Sequence, residues 1–144
     1  MRVTMLLADA AQALGGKLYI LGGGWTRMGP HPTPFAIAMK IEVPWDQANR
    51  RHEWRLRLVD QDGQPVSLSS RDGEPQPLEM GAGFEVGRPP GMAPGSPLDF
   101  PLVIQFGPLP FPPGQRYEWI LEIDGRCDPH WRLAFSTGPV EVGA

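Results

Sequence analysis

Apolar and polar residues alternate along several short segments of this chain, the pattern produced by β-strands with one buried face. The alternating segments are residues 35–43, 51–59, 100–106, 116–123 and 131–135. Two further apolar runs of strand length, residues 3–8 and 17–21, flank Gly15-Gly16, a pair that favours a tight hairpin turn. We therefore expect the first two strands to pair with each other. No segment carries the spacing of an amphipathic helix.

Turn-forming residues separate these segments. Glycine and proline occur 18 times each among the 144 residues, and most of them fall between the apolar runs. Strand segments spaced by roughly 8–12 residues, with turn signals between them, are typical of a two-sheet sandwich. We predict an all-β fold: a single Ig-like, two-sheet antiparallel β-sandwich of about eight or nine strands.

Two details of the segment 116–123 support this fold. The approach to Tyr117 is similar to the entry to a late strand of Ig-like domains, where a tyrosine hydroxyl bonds to upstream backbone, so Tyr117 is predicted to be structural. Arg55 and Arg57 occupy the polar phase of one strand, and Glu118 and Glu122 occupy that of another. If these strands are neighbours, the opposite charges help to set their register.

Residues 71–99 interrupt the strand pattern with six prolines and several glycines, and only residues 84–86 favour a strand. We predict one domain over residues 1–144 with a Pro/Gly-rich surface excursion at 71–99. Long connections of this kind are often functional, which makes Arg88, Pro89 and Pro90 candidate contacts for a partner. The alternative is that the segment only crosses from one sheet to the other.

The five tryptophans divide into two groups. Trp54, Trp119 and Trp131 lie on apolar strand phases and are expected in the core. Trp25 and Trp45 occur in loops, where an exposed indole could stack on a sugar ring or anchor a protein partner. The alternative for this pair is packing over an open end of the sandwich.

A resemblance is carried by Leu7-Ala8-Asp9-x-x-Gln12, by the run from Gly16-Lys17-Leu18 to Gly22, and by the turn Asp62-Gly63. With these residues the chain resembles a family of short, uncharacterised bacterial proteins of unknown function. The resemblance implies a β-sandwich without a cleaved signal peptide. It implies no activity and transfers no functional residues.

Residues with catalytic or metal-binding chemistry are few and scattered. The histidines are His31, His52 and His130, and His130 alone has a nearby potential ligand, Cys127. A zinc site needs about four ligands, commonly in paired motifs, so no metal site is predicted. His52 shares the apolar phase of its strand and is expected to be a hydrogen-bonded, partly buried structural residue. We predict no cofactor and no catalytic residues.

The net charge and the lengths of the apolar runs limit the classes of partner and the cellular location that we expect. A net charge of −3 and a pI near 5.5 argue against a surface built to bind nucleic acid. The apolar run at residues 3–8 is too short for a signal core, and no run is long enough to cross a membrane. A single cysteine cannot close an intrachain disulfide, which fits a cytoplasmic protein.

These patterns lead to three alternative hypotheses for the function of the protein. The leading hypothesis is a non-catalytic cytoplasmic module that acts through its surface, as a homo-oligomer or as an adaptor for a protein partner. The first alternative is a small-molecule or carbohydrate-binding module that uses Trp25 and Trp45. The second alternative is an unrecognised enzyme, which would need Cys127, His130 or a carboxylate cluster to converge in one pocket.

Overall fold

A computed structural model describes residues 1–69 and 73–139 and shows an all-β chain. Its strands are β1 (Arg2–Leu14), β2 (Lys17–Gly23), β3 (Arg27–Met28), β4 (Phe35–Val43), β5 (Arg51–Asp60), β6 (Ser67–Ser69), β7 (Pro75–Pro77), β8 (Glu79–Glu85), β9 (Leu98–Phe106), β10 (Arg116–Ile123) and β11 (Arg126–Thr137). A single 3-10 turn at Trp45–Gln47 is the one helical element of the described residues. Within this part of the chain, no helix is long and apolar enough to span a membrane.

Two sheets form the body of the sandwich. One has the strand order β2-β1-β4-β9 and the other has the order β3-β11-β10-β5-β8, while β6 and β7 form a separate two-stranded ribbon. The orders β1-β4-β9 and β11-β10-β5-β8 match the A-B-E and G-F-C-C′ strands of an immunoglobulin-like sandwich. The predicted fold class is therefore confirmed, with β2 added at the outer edge of the first sheet. One pair, β3 with β11, is parallel, so the second sheet is mixed.

Alternation along the strands places one continuous apolar core between the sheets. Trp119 is fully buried at its centre, and its ring centroid lies 5.2 Å from that of Phe106 on the facing sheet. Trp54 and Trp131 are also buried, as their strand phase predicts. Each buried aromatic side chain removes roughly 150–250 Å² from water, so these residues dominate the apolar contribution to folding.

The predicted neighbours β5 and β10 do pair, but the charges on them are arranged differently from the expectation. Arg55 lies opposite Glu122 in the ladder, yet its ion pair is with Glu79 on β8. Glu118 instead pairs with Arg132 on β11, at 3.0 Å. A long arginine side chain reaches either neighbouring strand, so strand order alone does not select its partner.

The predicted excursion at residues 71–99 is shorter than the sequence indicated. β8 lies inside it and is an edge strand that pairs with β5. The paired residues run from Arg51 opposite Glu85 to Arg57 opposite Glu79. Its alternation is hidden by Gly81, where an added side chain would collide with the Trp54 carbonyl oxygen, and by Gly83, which lies beneath the Arg51 guanidinium. Among the described residues of this segment, the longest stretch without strand structure is 86–97.

Tyr117 is buried, but the predicted backbone hydrogen bond of its hydroxyl is not formed with any described residue. Its ring instead packs against Phe111 and Phe135, with centroids 5.2 and 5.4 Å away. Burial raises the pKa of the Tyr117 hydroxyl, and the charge of the facing Asp60 raises it further. The residue therefore acts through ring packing.

Candidate interaction surface

The β1–β2 hairpin is longer than the sheet that supports it. Pairing of β1 with β4 ends at Ala8 and Ala36, whereas pairing of β1 with β2 continues to Leu14 and Lys17. The turn at Gly15-Gly16 has φ angles of 60° and 75°, as the predicted two-residue hairpin turn requires. Residues 9–22, here called the hairpin arm, therefore extend past the end of β4.

The root of the arm is fixed to the outer face of the first sheet. Ala8, Ala11, Ala36 and Ala38 form a second buried cluster there, against which Leu6 and Val103 pack. The side-chain amide of Gln105 on β9 donates a hydrogen bond to the Ala11 carbonyl oxygen. These contacts hold the arm in one orientation, which lowers the entropy that it would lose on binding a partner.

One face of the arm is apolar and open to solvent. Residues directly opposite each other in an antiparallel pair share a face, so Leu21 lies with Ala10 and Tyr19 lies with Gln12. Leu21 is 72% exposed, Leu14 60% and Tyr19 53%. We call this surface the arm face; it comprises Ala10, Gln12, Leu14, Lys17, Tyr19 and Leu21.

Exposure of large apolar side chains is concentrated at this place. Five such residues are exposed in the described part of the chain, and four of them, Leu14, Tyr19, Ile20 and Leu21, belong to the arm. Met92, in the connection between β8 and β9, is the fifth. Scattered apolar residues are normal on a protein surface, but a contiguous patch marks an interaction site.

The residues of β2 themselves indicate an exposed apolar surface. In the run from Leu18 to Leu21, both strand phases are apolar. A strand with two apolar faces needs cover on both sides, and an added strand at the edge of a two-layer sandwich has cover on only one. An uncovered phase is therefore expected once β2 is placed at an edge.

The loop tryptophans lie at opposite ends of β4. Trp25 packs edge-on against Phe35 at the start of that strand, with ring centroids 6.2 Å apart. Trp45 follows the end of the strand at Val43. Eight residue steps at ~3.3 Å separate the two ends by about 26 Å. Trp25 and Trp45 therefore do not share one binding groove.

Arg88 ties the connection after β8 back to the sandwich. Its guanidinium carbon lies 4.7 Å from the centroid of the Trp45 ring, and its Nε and Nη2 atoms donate to the Trp45 carbonyl oxygen at 3.1 and 2.6 Å. Pro89 and Pro90 are exposed beside it. The structure thus unites Arg88 with Trp45, and a cation of the chain itself occupies one face of that indole.

His52, at the start of β5, joins the 3-10 turn at Trp45–Gln47 to Asp124 in the β10–β11 turn. The His52 ring is 3% exposed; its Nδ1 lies 2.7 Å from Asp124 Oδ2, and its Nε2 lies 2.8 Å from the Gln47 carbonyl oxygen. Both partners are acceptors, so both ring nitrogens are engaged with oxygen atoms of the protein. Neither nitrogen remains free to act as a base, which agrees with the expected structural role of His52.

Asp124 opens the β10–β11 turn with a φ of 52°, and its Oδ1 accepts the backbone N–H of Glu53 at 2.9 Å. Partial burial raises the pKa of the Asp124 carboxyl, but the hydrogen bonds from His52 and Glu53, with the positive charges of His52 and Arg126, outweigh it. The pKa of Asp124 therefore lies below its ordinary value.

This lowered pKa predicts an acid-sensitive contribution to stability. The contribution is complete above the pKa of an unfolded aspartate, about 3.9, and is lost as the pH falls through the lower folded value. We expect Asp124→Asn to flatten the fall in unfolding free energy below about pH 4. Denaturant melts from pH 2.5 to pH 6 measure it. An unchanged slope in the variant would contradict the assignment.

Cys127 and His130 both lie near the start of β11. Cys127 is an exposed free thiol, and the backbone N–H of His130 donates to Asp128 Oδ1 at 2.8 Å within this strand. In the described ranges, no group of three or more His, Cys, Asp or Glu side chains is placed to hold a metal ion. The arm face is thus the best-formed candidate site.

A known protein family matches most of the chain. The model of DUF6941, a family of unknown function, matches residues 3–135. This range includes the whole hairpin arm and all but the last two residues of β11. No curated protein matches the chain.

Proposed function

The chain belongs to this family of unknown function, and we propose that it acts as a non-catalytic protein-interaction module whose hairpin arm is the docking element. The observation that carries the proposal is the contiguous exposure of Leu14, Tyr19 and Leu21 on one face of an anchored hairpin. Burial of exposed apolar surface by a partner stabilises the complex by roughly 25 cal/mol per Å².

The shape of the arm also favours a protein as the partner. The arm face lies on a strand pair with a free strand edge, and protein chains use both an apolar surface and an unpaired backbone edge for recognition. Tyr19 adds a hydroxyl at the end of a large apolar ring, a combination that is enriched at protein interfaces. A sugar or another small molecule is better held in a concave pocket.

The arm replaces residues 86–97 as the first candidate for partner contact. That connection lies by Trp45, at the end of β4 opposite to the arm, and Arg88 fastens it to the body of the sandwich. Pro89 and Pro90 offer limited apolar area, and Met92 is its only exposed large apolar residue in the described part of the chain. The loop is therefore better suited to covering the sandwich end.

A photocrosslinking experiment tests the proposed function. The photoreactive residue p-benzoylphenylalanine is placed at position 21, or at position 92 as the matched control, in protein made at its natural level in cells. We expect a specific protein adduct after irradiation from position 21 and none from position 92, because Leu21 lies on the arm face and Met92 does not. If position 21 forms no adduct, or both positions form the same ones, the proposal is wrong.

A further inference from the structure

We infer that the partner of the arm is a second copy of this chain, paired through β2. In this arrangement the β2 strands of two molecules lie antiparallel about a two-fold axis near Tyr19 and Ile20. The two four-stranded sheets then form one continuous eight-stranded sheet. The inference rests on the proposed function and adds to it the identity of the partner and the backbone edge that it uses.

The sheet edges differ in how they are protected against pairing. Natural proteins block free edges with prolines and charges within the edge strand. Among the described strands at sheet edges, β8 contains Glu79 and Glu85, and β9 contains Asp99 and Pro101. At the remaining edge, the two-residue β3 contains Arg27, and the part of β11 that β3 does not cover contains Asp128 and Pro129. Between Leu18 and Gly23, β2 contains neither a proline nor a charge. The edge of β2 is therefore free to pair with another strand, whereas the other sheet edges carry prolines or charges that oppose pairing.

Charge supports self-pairing of β2 in particular. Its single charge is Lys17, at the first position of the strand. With the two-fold axis at Tyr19, the two Lys17 residues lie four positions apart, about 14 Å at ~3.4 Å per residue. This exceeds the ~8–10 Å over which salt screens exposed charges. No like charges face each other in this register.

The same operation on β8 gives the opposite result. Antiparallel self-pairing about Ala82 would place Glu79 of each molecule directly opposite Glu85 of the other. Like charges directly opposite each other destabilise a strand pair. The neutral, proline-free edge and the exposed side chains of Tyr19 and Leu21 lie on the same strand. This coincidence favours assembly through β2 over assembly through another edge.

Self-pairing also accounts for the apolar arm face. Directly opposite and diagonal neighbours in an antiparallel pair contact each other through long side chains. Tyr19 and Leu21 of both molecules therefore meet on the same face of the joined sheet. An isologous contact of this kind uses each residue twice and closes on itself, which yields a dimer without further growth.

Light scattering across a range of concentrations tests the inference. We expect the wild-type protein to approach twice 15.9 kDa as the concentration rises. Leu21→Lys is expected to weaken association roughly 100-fold, about tenfold for each of its two occurrences in the interface. Met92→Lys, at another exposed apolar residue, should associate like the wild type. A wild type that remains at 15.9 kDa at every concentration overturns the inference.

A cysteine at the axis separates self-pairing from association by another surface. In a Cys127→Ser background, Tyr19→Cys is expected to form an intermolecular disulfide on mild oxidation, whereas Met92→Cys should not. Equal cross-linking at both positions would contradict pairing through β2. If the photoreactive residue at position 21 captures a different protein while the wild type is monomeric, the proposed function stands and the second copy is excluded.

Discussion

Replacing Trp119 with alanine is expected to lower the free energy of unfolding by about 3–5 kcal/mol, the usual cost of removing a buried tryptophan. Trp119 is fully buried and packs on Phe106 across the two sheets, so the cavity opens where the sheets meet. Domains of this size are stable by only about 5–15 kcal/mol, and the variant should therefore lie near the limit of folding. Denaturant unfolding followed by circular dichroism measures the difference.

Trp119→Phe is the matched control. The indole Nε1 of Trp119 is buried and has no hydrogen-bond partner among the described residues, so phenylalanine sacrifices no hydrogen bond. We expect a loss of about 1–2 kcal/mol from the smaller ring alone, because only part of the side-chain volume is removed. If phenylalanine were as damaging as alanine, the indole nitrogen would have a role in stability that the packing does not explain.

The second large effect is expected at the β10–β11 turn. Asp124→Ala removes the acceptor of the buried His52 ring and of the Glu53 backbone N–H, and it places alanine at a φ of 52°. An unpartnered buried donor costs about 1–3 kcal/mol. Alanine lacks the short polar side chain that lets aspartate adopt the left-handed conformation, which costs alanine roughly 1–2 kcal/mol. We expect a combined loss of about 2–5 kcal/mol in thermal or denaturant unfolding.

Asp124→Asn separates the backbone strain from the charge and from one of the two hydrogen bonds. Asparagine tolerates the left-handed conformation and keeps one acceptor oxygen, so it should cost about 1 kcal/mol at neutral pH. Equal losses for Asp124→Ala and Asp124→Asn would show that the backbone strain contributes little and that the charge with its second hydrogen bond is the dominant contribution. Unchanged stability in both variants would show that His52 finds another acceptor.

The fold was accessible from the sequence wherever one strand phase is apolar and the other polar. β4, β5 and β10 alternate cleanly, and the turns at Gly15-Gly16 and Asp124-Gly125 carry the residues that their positive φ angles favour. β8 was less visible because glycines occupy its outward positions, beneath the arginines of β5. A strand is recognised by the alternation of its apolar and polar side chains, and glycines contribute no side chain to that pattern.

The candidate site was harder to predict because it depends on where a strand ends relative to its neighbour. The sequence predicts that residues 17–21 form a strand, but exposure of Leu21 follows from the edge position of β2 and from the end of β4 at Phe35. Those are properties of topology. The position of Trp45 likewise depends on a long-range contact, with Arg88, that local patterns do not encode.

The most direct test of the account is hydrogen exchange of the β2 amides, measured above and below the concentration at which the protein associates. The account predicts that amides within Lys17–Gly23 exchange more slowly in the associated state, because the free edge gains backbone hydrogen bonds, while those of β8 do not change. Exchange in β2 that is independent of concentration would contradict pairing through this strand.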